Sequence, residues 1–364
     1  MKKFTRFLLV FFSLFIGLNF LLAFIILPFE KIFFDNFVFA NISERILKNS
    51  KIEKKEYAKF HNEFTRLNFY NYDDYVGWKE RPEINNSYKN IHDKFGRVAG
   101  KNQICKKNIY IYGSSTAFGY WVKDSQTIAF FLDSIIKEKK QNICVYNFGR
   151  ANFDPYRENL LLIKNINEKK IKAGDIQVFI NGSAVLLPSS LIDELEEFVM
   201  NSHSDQRTKF FYTAKLFFSN LPTTVIFTKI KRHLGFSKNE NQEIGLLKKK
   251  EMIDNANEWF INNMKIRNAL CKEFDVQCLT FLEPFGYSNT KMAKSKLLLS
   301  ERGFFGADFI SMYQLLKKIP NIIDISDIFK NINFNDAYQD DLHYSPEGSK
   351  LIAIEIFQKI KNKI

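Results

Sequence analysis

A regular alternation of short apolar runs and longer amphipathic runs begins at Asn108 and constrains the fold more than any other feature of the sequence. The short runs are continuously apolar, which is typical of parallel strands buried on both faces, and the longer runs have helical spacing. In order, the runs are NIYIYG, TIAFFLDSIIKEKK, NICVYNFG, YRENLLLIKNINEKK and DIQVFING. They predict strand, helix, strand, helix and strand.

The alternation is interrupted over residues 186–255, which we interpret as a mostly helical insertion. It then resumes with EWFINNMKIRNALCKEF, VQCLTFLEP, SMYQLLKKI and NIIDIS, and closes with a helix from Pro346 to Lys361 after the N-cap Ser345. Residues 105–364 are therefore predicted to form a three-layer α/β/α sandwich with a doubly wound parallel sheet. In such a sheet, ligands bind beyond the carboxyl ends of the strands.

An apolar run, FLLVFFSLFIGLNFLLAFIIL at residues 7–27, contains no charged residue. It has the length of about 20 residues that a bilayer requires, and it is longer than the apolar region of about 7 to 15 residues in a cleaved signal peptide. We predict a transmembrane helix. Because residues 1–6 carry Lys2, Lys3 and Arg6, we expect the N-terminus in the cytoplasm and the rest of the chain outside it.

Two segments separate this helix from the alternating region. Residues 28–65 mix apolar and charged stretches and are predicted to form a helical stalk, and residues 66–104 read as an extended lead-in of short strands and turns. Within the insertion, residues 225–236 have the composition of a segment that lies along a membrane interface.

The net charge of the chain is +13, mostly from lysine. No zinc finger, helix-turn-helix signature or aromatic RNA-binding motif accompanies this charge, so we expect no nucleic-acid partner. Attraction to an anionic membrane surface or polymer fits the charge better, and an AT-rich genome would produce the same excess of lysine.

The four cysteines have no metal-ligand spacing. Outside the cytoplasm they could form two disulfides, Cys105 with Cys144 and Cys271 with Cys278. Four buried free thiols are the alternative.

Small or polar residues follow each of the first three predicted strands, and a fourth polar group precedes the last helix. Because the carboxyl ends of parallel strands share one edge of a sheet, we expect these groups to converge. They are Gly113-Ser114-Ser115, Asn147-Phe148-Gly149, Asn181-Gly182-Ser183 and Asp340-Asp341-Leu342-His343.

Ser-His-Asp chemistry needs a serine hydroxyl within hydrogen-bond reach of an imidazole, and a carboxylate that fixes the tautomer of that imidazole. Asp340 and His343 are three residues apart on one loop, a spacing that lets the carboxylate reach the ring. Taken singly, Ser115 could be a turn or capping residue and His343 a surface residue. The joint pattern favours a serine nucleophile.

Other readings of the GSSTAFG stretch at residues 113–119 fail on particular positions. A Walker A loop needs Gly-Lys before its Ser or Thr, and a dinucleotide fingerprint needs a third glycine and an acidic residue after the second strand. The nucleophile elbow G-x-S-x-G fails because Ala117 occupies the position of its second glycine.

The four polar blocks together resemble those of the SGNH hydrolases, also called GDSL esterases and lipases. The resemblance covers residues 66–364 loosely, and the lead-in is similar to that of membrane-associated bacterial members. It implies the flavodoxin-like SGNH hydrolase fold, with Ser115 as the nucleophile, His343 as the base and Asp340 as its partner. It also implies an oxyanion hole made by the backbone N–H groups of Ser115 and Gly149.

The third block departs from the family pattern. SGNH hydrolases carry Gly-x-Asn-Asp there, with the asparagine side chain as an oxyanion donor, whereas this chain has Gly182-Ser183-Ala184-Val185. Ala184 has no side-chain donor. We consider Asn181, Ser183 and Asn152 as possible substitutes.

The resemblance and the apolar helix imply a membrane-anchored serine esterase or acyltransferase that needs no metal or organic cofactor. The expected substrates are O-acyl esters, foremost O-acetyl, of a cell-surface glycan, and an esterase or lysophospholipase acting on lipids is the alternative within the enzyme class. Because of Ala184, a non-catalytic module that binds a glycan or acts in envelope assembly is the alternative outside that class.

Overall fold

The computed structural model describes residues 2–33, 53, 70–80, 90–92, 96–100, 105–139, 142–186, 223, 246–286, 306–340 and 342–364. Most of the predicted stalk and of the predicted insertion, including residues 225–236, lies outside these ranges. The chain divides into two compact units, Met1–Glu44 with Met200–Glu243, and Arg45–Val199 with Ile244–Ile364.

The first unit contains helix α1, Lys2–Phe33, which includes the predicted transmembrane run. Among the described residues, one helix is long and apolar enough to cross a membrane, with Phe4–Leu21 as its most apolar window. A signal sequence passes the same test of length and composition. Asn19 is buried in this unit, where its Oδ1 accepts hydrogen bonds from the backbone N–H and the hydroxyl of Thr223 at 3.1 and 2.8 Å.

The second unit is a mixed α/β domain whose described strands form a hairpin and a seven-stranded sheet. The hairpin is β1 (Tyr70–Asp73) with β2 (Gly77–Glu80). The strands of the sheet are β3 (Ile91–His92), β4 (Gly96–Arg97), β5 (Lys107–Gly113), β6 (Ile143–Asn147), β7 (Ile176–Asn181), β8 (Gln277–Leu282) and β9 (Ile322–Asp324).

The spatial order of the sheet is β3-β4-β6-β5-β7-β8-β9. Strands β5 to β9 pair in parallel. At one edge β3 pairs antiparallel with β4, and β4 pairs antiparallel with β6 at Arg97 and Asn147. Strand order reverses at β5, which lies between β6 and β7. The predicted parallel pairing is therefore confirmed for β5 to β9, and the lead-in adds two antiparallel strands that the prediction did not include in the sheet.

Helices cover the sheet because alternate residues of each strand point to opposite faces. In β5, Ile109 and Ile111 pack into one apolar cluster, and Tyr110 and Tyr112 pack into another. The described helices of this unit are α2 (Ser115–Phe118), α3 (Ile128–Glu138), α4 (Pro155–Asn167), α5 (Leu246–Glu273), α6 (Gly306–Leu316), α7 (Phe334–Ala337) and α8 (Pro346–Ile360).

Side-chain caps fix where three of the helices begin. Thr127 accepts the N–H of Phe130 before α3, and Asp154 accepts the N–H of Arg157 before α4. Before α8, Ser345 accepts the N–H of Gly348 at 2.9 Å. Such caps satisfy N–H groups that have no partner within the helix.

Both proposed disulfides are present. Cys105 joins Cys144 across a sequence separation of 39 residues, and Cys271 joins Cys278 across 7 residues, with Cα–Cα distances of 5.6 and 6.0 Å. The first ties the segment before β5 to β6, and the second ties the end of α5 to β8. The alternative of four free thiols does not describe this structure.

Candidate active site

Ser115 is the first residue of α2, directly after the turn that ends β5. Gly113 makes this turn with φ of 151°, and a Cβ atom there would lie 2.6 Å from the Cβ of Ala117 and 2.7 Å from the carbonyl oxygen of Ile180. Only glycine fits such a position without a shift of its neighbours. The turn brings Ser115 to the carboxyl edge of the sheet, with its N–H at a helix start where no intrahelical acceptor exists.

Asp340 and His343 lie on the loop that precedes α8. Asp340 Oδ1 accepts the backbone N–H groups of Leu342 and His343 at 2.8 and 2.6 Å, which folds the loop back on the carboxylate. This local turn leaves the second oxygen, Oδ2, for the imidazole.

The structure brings Ser115, His343 and Asp340 together in one hydrogen-bonded chain. The hydroxyl of Ser115 lies 2.9 Å from Nε2 of His343, and Nδ1 of His343 lies 2.7 Å from Oδ2 of Asp340. With the proton on Nδ1, the ring donates to the carboxylate, and Nε2 is free to accept from the serine. This is the arrangement that a general base needs toward a nucleophile.

The charge of Asp340 is stabilised by its surroundings. Burial by itself would raise the pKa of this carboxyl, but the charge of His343 and the hydrogen bonds from His343 and Leu342 outweigh it and lower the pKa to about 2. Asp340 therefore remains ionised at neutral pH, as a partner of an imidazolium must be.

A buried carboxylate, Glu283, links the two segments that carry the nucleophile and the base. Its Oε2 accepts the hydroxyl of Thr116 at 2.7 Å and that of Tyr344 at 2.9 Å. Thr116 follows Ser115, and Tyr344 follows His343, so one side chain braces both neighbours. Glu283 was not among the site residues predicted from the sequence. The only signal was an acidic residue at the end of a buried strand.

The second predicted oxyanion donor, the N–H of Gly149, is already engaged. It donates to Oδ1 of Asn147 at 3.0 Å, while Nδ2 of Asn147 donates to the carbonyl of Phe118 at 3.3 Å. Gly149 also packs closely beneath α2, where a Cβ atom would lie 2.5 Å from the backbone nitrogen of Phe118. The glycine is required for this approach of two backbones.

Asn181, the first possible substitute donor, belongs to a buried polar network below the end of β7. Its Nδ2 donates to both carboxylate oxygens of Glu158, at 2.8 and 2.9 Å, and its Oδ1 accepts from Arg267 at 3.0 Å. Arg267 also contacts Glu158 at 2.9 Å. Burial raises the pKa of Glu158 and lowers that of Arg267, and the charge of each partner opposes the change in the other.

The remaining third-block positions differ in what they can offer. Ala184 and Val185 are buried, and Val185 packs in an apolar cluster. For Ser183 the structure describes the backbone and not the surroundings of the side chain. Asn152 is partly exposed and has a left-handed φ of 61°, and within the described part of the chain its side chain has no recorded hydrogen-bond partner.

Nothing in the described ranges forms a group of three or more His, Cys, Asp or Glu side chains that could hold a metal ion. The groups that the structure describes at this edge of the sheet include a hydroxyl, an imidazole, a carboxylate and backbone N–H groups. That combination supports acyl transfer through a serine.

Comparison with protein-family models finds no match, and comparison with curated proteins finds none either. Among solved structures, the chain is similar to the psychrotrophic esterase EstA from Pseudoalteromonas sp., with 10% identity over 71% of this chain and 98% of that chain and a TM-score of 0.37. It is also similar to a lipolytic protein of the G-D-S-L family from Veillonella parvula, with 11% identity, coverage of 71% and 100%, and a TM-score of 0.36.

A third similar structure is Axe2, an acetylxylan esterase from Geobacillus stearothermophilus, with 11% identity, coverage of 70% and 94%, and a TM-score of 0.37. Identities and scores this low leave the assignment of function to the geometry of the site itself.

Proposed function

We propose that this chain is a serine esterase of the SGNH type, with Ser115 as nucleophile, His343 as general base and acid, and Asp340 as the partner of His343. The observation that carries the proposal is the continuous hydrogen-bonded chain from Ser115 Oγ through His343 to Asp340. Ser115 and His343 are 228 positions apart in sequence, and the start of α2 and the loop before α8 meet at one sheet edge.

The proposed reaction has two halves. Ser115 Oγ attacks the ester carbonyl while Nε2 of His343 takes its proton, and the collapse of the tetrahedral intermediate passes that proton to the departing alcohol. Water or a second alcohol then loses its proton to His343 and attacks the acyl-serine. Collapse of this second tetrahedral intermediate breaks the bond to Ser115 Oγ and releases the acid or the new ester, and His343 returns the proton to Ser115 Oγ. Asp340 keeps Nδ1 protonated and stabilises the imidazolium in both halves. Hydrolysis and acyl transfer differ only in which molecule attacks second.

Stabilisation of the oxyanion is the weaker part of this site. The N–H of Ser115 has no intrahelical acceptor at the start of α2, which supports it as a donor, but the N–H of Gly149 would have to leave Asn147 to contribute. Since Asn181 is committed to Glu158 and Arg267, we propose the side chain of Asn152 as the substitute for the missing third-block asparagine. A site with one donor fewer is slower by about 10² to 10³.

The proposed location is extracytoplasmic, with helix α1 as a membrane anchor. Two disulfides support an oxidising compartment, because cytosolic thiols are kept reduced. The proposed substrates are O-acetyl or other O-acyl esters of a cell-surface glycan, and the charge of +13 would attract an acidic polymer.

A non-catalytic binding module is the second candidate function. The observation that favours it is that Ala184 has no side-chain donor while the N–H of Gly149 and the amide of Asn181 are both engaged elsewhere. Such a chain would keep the fold and bind an acylated glycan without turnover.

Labelling with a fluorophosphonate separates the two candidates, because this probe reacts with an activated serine. We expect the full-length chain in detergent to be labelled, and Ser115→Ala to abolish labelling. Ser134→Ala is the matched control, since the Ser134 hydroxyl donates to the carbonyl of Phe130 within α3 at 2.9 Å, and it should leave labelling intact. Folded wild-type protein that resists the probe would exclude the catalytic proposal.

Substrate class is tested next with acyl esters of increasing chain length. Faster turnover of acetyl than of long acyl esters supports a glycan esterase, and the reverse order supports the lipid alternative. Transfer of acetyl to an added glycan in preference to water identifies an acyltransferase.

A further inference from the structure

The turn that follows α2 has an unusual backbone for the residue that it carries. Trp121 adopts a left-handed φ of 68°, which a bulky side chain rarely does. Residues in such conformations persist only where their surroundings hold them, and they are frequent at functional sites.

Arg97, from β4 of the lead-in, holds this turn. Its guanidinium donates to the carbonyls of Phe118, Gly119 and Val122 at 2.9, 2.6 and 2.6 Å, and its Nε contacts Asp124 at 2.7 Å. Arg97 is 1% exposed, so these bonds form away from water. The carbonyls on both sides of Trp121 are therefore fixed by one buried cation.

The fixed turn directs Trp121 at the acid–base residues. Its indole Nε1 donates to Oδ2 of Asp340 at 2.9 Å, the same oxygen that contacts Nδ1 of His343 at 2.7 Å. The two other recorded donors to Asp340 are N–H groups of its own loop. Trp121 thus contributes a bond to this carboxylate from the segment that carries Ser115.

Tyr120, the neighbour of Trp121, contacts the other member of the pair. Its ring stacks on the imidazole of His343, with a centroid distance of 4.9 Å and an interplanar angle of 29°. The two aromatic rings of the turn also contact each other, at 4.8 Å. Consecutive residues of one turn therefore hold the carboxylate and the imidazole.

We propose that Trp121 is a positioning residue that orients the Asp340 carboxylate, and through it His343, toward Ser115. This inference rests on the proposed function. An indole N–H suits the role because it donates a hydrogen bond without carrying a charge. A lysine or arginine there would neutralise the carboxylate that has to stabilise the imidazolium.

The first test compares fluorophosphonate labelling rates of the full-length chain. We expect Trp121→Phe to slow labelling by about 10- to 100-fold, as expected for a lost hydrogen bond to a charged group. Trp259→Phe is the matched control, because Trp259 is 37% exposed on α5, and we expect the wild-type rate. A wild-type rate in folded Trp121→Phe would overturn the proposal.

The second test is spectroscopic. It does not require the protein to be active, and it does not depend on whether the Trp121→Phe variant folds. The three tryptophans of the chain give three indole N–H signals in ¹⁵N-labelled protein. We expect Asp340→Asn to move the Trp121 signal and to leave that of Trp259 in place. An unmoved Trp121 signal would overturn the proposed contact. If wild type resists the fluorophosphonate, the proposed function fails, and this signal alone decides the contact.

Discussion

The two halves of the candidate site use their polar groups differently. In the acid–base half, which we define as Ser115, His343 and Asp340, each side chain contacts the next, and the chain of contacts ends at the serine hydroxyl. The anion half, which we define as the backbone N–H groups of Ser115 and Gly149 with the candidate donors Asn152 and Asn181, differs. Its Gly149 N–H donates to Asn147, and its Asn181 amide donates to Glu158. The polar groups of the first half contact one another, whereas the donors of the second half largely contact groups that hold the fold.

The difference shows which requirement is easier to meet. Proton transfer needs two side chains on one short loop and a serine at a strand end, and local turns supply that geometry. Oxyanion stabilisation needs donors that remain unpaired near a reacting oxygen, whereas buried donors normally find partners. A site can therefore have all three residues of a Ser-His-Asp triad in contact while its rate is limited by too few oxyanion donors.

The largest expected effect comes from breaking the acid–base half. Asp340→Asn should lower the labelling rate, or kcat on an ester, by about 10⁴, because the amide no longer holds the Nδ1–H tautomer of His343. Asp336→Asn is the matched control, since Asp336 is exposed and near in sequence, and it should react at the wild-type rate. A loss below about tenfold would show that Asp340 has no such role.

The next effect concerns the ion pair that holds Asn181. Arg267→Met should lower the free energy of unfolding by about 3 to 5 kcal/mol, because it leaves the buried charge of Glu158 without its partner. Urea denaturation measures this change. The exposed Lys265 lies two residues earlier on α5, and Lys265→Met should change stability by less than about 0.5 kcal/mol.

Adding Glu158→Gln to Arg267→Met should recover part of the loss, since no uncompensated charge then remains. A double variant less stable than the single one would mean that the network is held by hydrogen bonds alone.

The anion half is tested directly by Asn152→Gly. Glycine accepts the left-handed φ of 61° without strain, so the change removes the side chain and keeps the backbone. If the Asn152 amide stabilises the oxyanion, kcat should fall by about 10² to 10³ with little change in KM. An unchanged kcat would rule out the Asn152 side chain as an oxyanion donor. The anion half would then have one candidate donor fewer than proposed.

The smallest expected effect is the pH dependence that Asp340 adds to stability. Its pKa is about 2 in the folded chain, below the ordinary value of 3.8 for an aspartate. Its contribution is present above the unfolded pKa and is lost as the pH falls through the folded one. We expect about 2 kcal/mol to disappear between about pH 5 and pH 2. Urea denaturation of the wild type and of Asp340→Asn measures this effect. The difference between their free energies of unfolding should shrink by about 2 kcal/mol as the pH falls from about 5 to about 2.

The sequence predicted the parts of the fold that depend on continuous patterns. The apolar runs located β5, β6, β7 and β8 because buried parallel strands exclude polar residues from both faces. Ser345 and Pro346 located the start of α8 because a cap and a first-turn proline act locally.

Side-chain partners across the fold were not predictable in this way. Four charged residues are almost completely buried, although charged side chains are usually expected at the surface. They are Arg97, Glu158, Arg267 and Glu283. Their hydrogen-bond and ion-pair partners lie on other strands, helices and loops. The spacing of residues within one segment therefore does not predict these partners. The engagement of the Gly149 N–H was equally hidden, since it depends on the rotamer of Asn147.

The clamp that Arg97 forms has a consequence for how far the chain can be shortened. Asn90 contacts the same Asp124 carboxylate through its backbone N–H and its side chain, at 2.8 and 2.9 Å. A chain trimmed to begin at Cys105 would lose Asn90 and Arg97 together, and the carbonyls of Phe118, Gly119 and Val122 beside the candidate site would lose their guanidinium donor. Shortened chains that omit α1 should therefore start before Asn90. The folded domain includes this part of the lead-in in addition to the alternating strands and helices that begin at β5.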